Sequence, residues 1–282
     1  MKIKIVTDSS ADLAQLALKD PDISQVPLSV TFGEQVYWDG QTMLADEFYK
    51  QLSSQDIHPK TSQPSPAAFA EAYRQASLEA DAIISLHLSA KLSGTINAAK
   101  QGLSLANLNC PVEIVDSRFT GMALGLIVLE AAKIVRSGCN LKEALALIQQ
   151  TITRTRCFIA LDTLTNLEKG GRIGKAASFI GNLLSIKPIL AIENGEVVPL
   201  AKVRSRKHAL EKLYELAQSA QPITQAALMV ASSDLQDYRP FYQSLDQALL
   251  GGAQKTYFGK LGPVLTTHGG LNTVGIAVLQ AE

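Results

Sequence analysis

Small hydroxylated residues recur where apolar runs end: Thr7-Asp8-Ser9-Ser10, Thr61-Ser62-Gln63-Pro64-Ser65-Pro66, Leu92-Ser93-Gly94-Thr95 and Asp116-Ser117. Gathered hydroxyls can donate hydrogen bonds to an anion while remaining neutral. Ser93-Gly94-Thr95 is the sharpest case, because Gly94 permits close backbone approach and a following helix offers free N–H groups and positive potential. Taken singly, Ser9, Ser93 and Ser117 are more readily explained as N-caps. Ser65 before Pro66 also reads as an N-cap, which leaves Thr61 and Ser62 without a structural explanation.

The four histidines divide by context. His87 lies in an apolar run, His208 in a polar helical pattern and His58 before a proline, all of which point to structural or surface roles. His268 sits in a glycine-rich turn, Thr266-Thr267-His268-Gly269-Gly270, where an imidazole can meet an anion as readily as it can be idle. Lys169-Gly170-Gly171-Arg172-Ile173-Gly174 lacks the spacing of a phosphate-binding P-loop, and its glycines read by default as a helix stop, with Arg172 exposed. No histidine or carboxylate pair has metal-ligand spacing, so neither a metal nor a cofactor is expected. Cys110, Cys139 and Cys157 are odd in number and far apart, as reduced, packed thiols would be.

Apolar periodicity supplies the elements that must hold these groups. Strands are predicted at Lys2 to Val6, Asp81 to Leu88 and Val112 to Asp116, with helices at Pro66 to Glu79 and Thr95 to Ala106 between them. That alternation implies a parallel sheet whose strand ends, and the hydroxyls on them, face a common crevice. Val26 to Trp38 reads as a hairpin around Gly33-Glu34, and Gly121 to Val135 as a buried helix too short for a bilayer. From Cys157 the pattern changes to strands and helices of a mixed sheet. Asn194-Gly195 turns Lys187 to Glu193 into Glu196 to Val203, and Ala226 to Ala231 and Asn272 to Gln280 add further strands. The expected architecture is α/β in two domains, residues 1–155 and 156–282.

The 282 residues are 46% hydrophobic, enough for two ordinary cores, and carry 26 basic and 26 acidic side chains. A formal charge of zero without a basic run argues against a nucleic-acid partner. The start, MKIKIVTDSSADL, has no signal-peptide apolar stretch, so a cytoplasmic protein is expected.

Taken in order, TDSSADL (7–13), TSQPSP (61–66), LSGT (92–95), VDS (115–117), LEKGGRIG (167–174), KPIL (187–190) and KVRS (202–205) resemble the DegV family over nearly the whole chain. The resemblance implies a two-domain α/β carrier of one long-chain fatty acid rather than a free-standing enzyme, similar to the acyl-carrying subunit of bacterial fatty acid kinase. It implies a carboxylate held at Thr61, Ser62, Ser93, Gly94 and Thr95 with His268 nearby, and a tail running between the domains. Arg172 and Arg204 would face the kinase and the phosphoryl group. Peripheral contact with a membrane would serve lipid exchange. The family's His-x-Gly-Pro-Gly pattern is replaced here by His268-Gly269-Gly270-Leu271-Asn272, where Asn272 can supply a left-handed residue.

Burying about fifteen methylenes at about 0.8 kcal/mol each yields on the order of 12 kcal/mol, against an association cost of about 4–15 kcal/mol. A carboxylate buried without partners would erase that gain, so the hydroxyl donors decide whether binding is favourable. Two alternatives stay open from sequence. One is a hydrolase using Ser93, His268 and an acid such as Asp116, although no nucleophile elbow is present. The other is a regulatory scaffold without a ligand.

Overall fold

The computed structural model describes residues 1–13, 20–54, 57–179, 186–250 and 255–282, with all their side chains except those of residues 249 and 250. Its first sheet is parallel throughout, in the order β2-β1-β6-β7, from β1 (Ile3–Asp8), β2 (Ile23–Val26), β6 (Ala82–His87) and β7 (Val112–Asp116). Successive residues of a strand point to opposite faces, and here both faces are covered. Val6 and Ile83 join a cluster with Phe69 and Tyr73 from α2 (Pro66–Ser77) and with Ala98 from α3 (Thr95–Ala106). Ile5 and Ile84 point the other way, towards Leu124 and Ile127 of α4 (Gly121–Arg136).

A small antiparallel sheet, β4-β3-β5, lies outside that alternation, built from β3 (Ser29–Phe32), β4 (Gln35–Trp38) and β5 (Lys60–Ser62). The expected hairpin therefore turns at Gly33-Glu34 but starts at Ser29. Val26 ends a strand of the parallel sheet, which Ser24 and Gln25 had concealed. Between β4 and β5 lies α1 (Ala45–Ser54).

The second sheet is mixed, in the order β10-β9-β8-β13-β11-β12. Its strands are β8 (Thr155–Ala160), β9 (Lys187–Glu193), β10 (Glu196–Val203), β11 (Ile223–Val230), β12 (Lys255–Lys260) and β13 (Val274–Gln280), with only β11 and β12 parallel. Asn194 and Gly195 both take positive φ, 51° and 82°, as a two-residue turn between β9 and β10 requires. One face packs on α7 (Arg206–Ser219) and α8 (Arg239–Leu250). The other meets α4 and α5 (Leu141–Arg154), the latter opened by a capping box between Asn140 and Glu143. The short helices α6 (Thr165–Lys169) and α9 (Pro263–Gly269) pack on each other beside this sheet.

The two sheets are thus separated by one shared helix. α4 contacts β1 on one side and β8, β11 and β13 on the other, and a single core cluster runs from Ile5 through Leu124 to Ala277 and Met229. No described helix is long and apolar enough to cross a membrane.

That sharing predicts cooperative loss of both sheets. Leu124 is fully buried, so Leu124→Ala should lower stability by about 2–5 kcal/mol. Urea denaturation followed by circular dichroism and tryptophan fluorescence should give one coincident transition, and separate transitions would show that α4 does not couple the sheets.

Candidate functional site

Hydrogen bonding fixes each hydroxylated segment before any ligand is considered. Thr61 and Ser62 stand on β5, which pairs with β3 through Val30↔Thr61 and Ser29↔Ser62. Ser65 accepts from Ala68 N–H at 3.2 Å and starts α2 with Pro66 behind it. Ser93 Oγ lies 2.9 Å from Thr95 Oγ1 and accepts Thr95 N–H at 3.3 Å. Neither Ser9 nor Ser117 caps a helix: Ser9 Oγ donates to Asp39, and Ser117 Oγ accepts Phe119 N–H two residues on. Gly94 is the N-cap of α3 and offers no side-chain acceptor of its own, and Ser93 Oγ meets the N–H of Thr95 at the start of that helix. A Cβ on Gly94 would stand 2.3 Å from Gln63 Oε1, and only glycine lets Gln63 lie against it.

His268 belongs to the last turn of α9 rather than to a free turn, and Gly270 (φ 83°) and Asn272 (φ 63°) reverse the chain after it. The left-handed asparagine expected from sequence is present. His268 Nε2 lies 2.8 Å from Thr61 Oγ1, across 207 residues of chain. Its Nδ1 is buried without a hydrogen-bond partner and faces Gly170, where a Cβ would stand 2.3 Å away. Burial first, then the charge of Arg172 and the neighbouring His58, push the imidazole down to about 4. It is neutral at physiological pH.

The KGGR segment ends a helix, as its glycines imply. Gly171 (φ 69°) ends α6 in a Schellman turn, with Gly171 N–H bonded to Glu168 O and Arg172 N–H to Leu167 O. That turn launches Arg172, whose Nε donates to Leu92 O at 3.0 Å and whose Nη1 donates to Gly170 O at 2.7 Å. The arginine bridges the two halves of the chain beside Ser93.

These groups close one region of a cavity of about 390 Å³, inside the range of roughly 300–1,000 Å³ usual for small-molecule sites. Thr61, Ser62, Ser93, Arg172 and His268 all line it, while most of the remaining wall is apolar, including Leu28, Met122, Ile159, Leu190, Met229 and Val264. Gly94 and Thr95 stand directly behind Gln63 and Ser93 rather than in the wall. Arg204 is exposed just beyond β10 and is not part of the lining. Sequence reasoning passed over Gln63 and Thr120, both in the wall. Thr120 precedes α4 and its buried Oγ1 has no partner, although a hydroxyl ahead of Gly121 at a helix start was a legible signal. Cys157 also lines the cavity, and burial pushes its thiol up to about 12, so it is an uncharged piece of wall.

A serine-hydrolase arrangement is not assembled. Asp116 is taken by the backbone N–H groups of Arg118 and Ala90, and among the described residues no carboxylate meets His268 Nδ1. Nor do three His, Cys, Asp or Glu side chains converge to hold a metal ion among those residues.

The chain has relatives along its whole length. A family model described as an uncharacterised protein of the DegV family matches residues 2–281. A DegV domain-containing protein of Deinococcus radiodurans is 34% identical over 99% of this chain and 98% of its own. A Thermus thermophilus structure described as fatty acid binding of a DegV family protein superposes with a TM-score of 0.89, at 30% identity over 100% of both chains. Bacillus subtilis DegV, described as a fatty acid binding protein, gives 0.86 at 30% identity over 99% of each.

The buried imidazole carries a pH signature. A depressed histidine contributes stability that is present above its unfolded value near 6.5 and is lost as pH falls through the folded value near 4. In a ¹H–¹⁵N NMR titration of ligand-free protein, His268 should remain neutral down to about pH 4, and Arg172→Ala should move its midpoint upward. Titration near 6.5 in the wild type would show that the ring is solvated.

Proposed function

The chain belongs to the DegV family, and from that premise we propose that it binds one long-chain fatty acid in the cavity described above. The observation that carries the reading is a largely apolar cavity whose polar lining gathers the Thr61–His268 pair, Ser62, Ser93 and Arg172. The carboxylate accepts hydrogen bonds from Thr61, Ser62 and Ser93, backed by Thr95 and by the N-terminus of α3 at Gly94. The tail lies along the apolar wall, between the halves 1–155 and 156–282.

A neutral imidazole suits such a site, because it orients the Thr61 hydroxyl without adding a competing charge. Arg172 and, further out, Arg204 then serve the mouth rather than retention, since an exposed cation adds little to affinity. With a separate kinase supplying ATP and Mg²⁺, a carboxylate oxygen attacks the γ-phosphorus, ADP departs, and the product is an acyl phosphate. The arginines offset charge on the transferring group. In this reading the protein is a carrier that presents its lipid, works in the cytoplasm and touches membranes peripherally during lipid exchange.

Native and denaturing mass spectrometry of the purified protein tests the reading. Wild type should release about one fatty acid per chain, Thr61→Ala combined with Ser93→Ala should carry little or none, and Arg172→Ala should keep its lipid. A folded double variant that purifies fully loaded would show that the head group lies elsewhere. Loss of lipid from Arg172→Ala would make that residue part of the retention site. Incubation of the loaded wild type with radiolabelled ATP and Mg²⁺, without a kinase, should give no acyl phosphate.

A further inference from the structure

The head-group site leaves the TDSSADL segment and Asp39 unexplained, and both converge on the other end of α9. Asp8 is fully engaged: Oδ2 lies 3.0 Å from His87 Nδ1 and accepts Leu88 N–H, and Oδ1 accepts from Ser10. Ser9 Oγ accepts Leu28 N–H at 3.0 Å and donates to Asp39 Oδ2 at 2.7 Å. Asp12, in a left-handed conformation (φ 54°), accepts Gly262 N–H on Oδ1 at 3.1 Å, and its Oδ2 is buried without a partner. The Val264 backbone N–H lies near Asp39 and opposes part of the rise that burial imposes on its carboxyl. A Cβ on Gly262 would stand 2.4 Å from Asp12 Oδ1 and 3.5 Å from Asp39 Oδ1. Asp12 therefore bonds the start of α9 directly and Asp39 stands beside it, both from the first half of the chain, and Pro263 at that turn has no N–H to satisfy.

Ionisation of this pair is opposed by its surroundings. Burial, and after it the neighbouring carboxylates, raise both acids, Asp39 to about 7 and Asp12 well above the ordinary carboxylate range. The other groups facing the pair are Asp8, the Tyr49 hydroxyl bonded to Leu261 O, and Asp46, which is paired with Lys260. A protonated pair can accept the Gly262 N–H and lie against this turn without burying two adjacent charges. α9 spans seven residues, a rise of about 1.5 Å each, so a shift of its first turn is carried rigidly to His268.

We propose that Asp12 and Asp39 are positioning residues for the head-group site, holding the first turn of α9 so that His268 at its far end meets Thr61. The ligand in this inference rests on the fatty-acid reading, whereas the geometry does not. The test uses the full chain and two measurements: the NMR midpoint of His268 in ligand-free protein, and the affinity for palmitate. Asp12→Ala should let the imidazole become wet, moving its midpoint from about 4 towards about 6.5, and should weaken palmitate binding about tenfold, the scale of one lost buried hydrogen bond. Asp12→Asn keeps an acceptor for Gly262 N–H and should restore both. If Asp12→Ala does not fold, Ser9→Ala, which removes the hydroxyl that bonds Asp39 and Leu28 N–H, should move both measurements in the same direction. A folded Asp12→Ala, or in its place Ser9→Ala, with the midpoint still low and affinity unchanged overturns the proposal. Wild-type protein that binds no palmitate overturns the fatty-acid reading instead, and the imidazole midpoint then decides on Asp12 and Asp39 by itself.

Discussion

Between Thr61 and Gly170, the ring of His268 is largely buried, with its Nδ1 out of reach of water, and much of the site follows from that burial. Desolvation keeps the imidazole neutral, so Nε2 can serve the Thr61 hydroxyl while adding no charge. The flat approach of the Gly170 backbone excludes solvent from Nδ1, and a side chain there would force the ring out. Neutral donors near an arginine are surroundings in which burying an anion costs less than burying a cation. The same geometry ties the chain together, because Thr61 and His268 come from opposite ends of the sequence.

Much of this architecture was legible from periodicity. β6, β7, β9, β10 and α3 lie where the apolar runs and spacing put them, with β6 and β9 as nearly continuous buried strands and α3 burying residues at helical spacing. β2 and β12 were missed for a common reason. Ile23-Ser-Gln-Val and Lys255-Thr-Tyr-Phe-Gly-Lys carry too few apolar residues to declare themselves, and their burial comes from neighbours distant in the chain. The site was legible as a set of hydroxyls and one histidine. What joined them was not, because the Thr61–His268 contact and the Arg172 bridge to Leu92 depend on tertiary packing. Gly170 illustrates the limit: its sequence context announces a helix stop, and only the fold reveals the ring packed against it.

The serine-rich segments divide in a similar way. Ser65 caps α2 as its position before proline implies. Ser9 instead bonds the buried carboxyl of Asp39, a role for which a local pattern offers no signal. Residues of one sequence type serve as helix cap, cavity wall and partner of a buried carboxyl, and burial partners decide which.

The helix shared by both sheets bears on how such a protein can change over generations. Leu124 and Ile127 of α4 belong to one continuous cluster with Ala277 and Met229 on the second sheet. A chimera joined near residue 155 would bring α4 from one parent and its far wall from the other, so their side-chain volumes would have to match across the junction. Substitutions on α4 and on the facing strands are thereby bound to drift in concert, and the cavity they enclose is inherited as a unit rather than assembled from exchangeable halves.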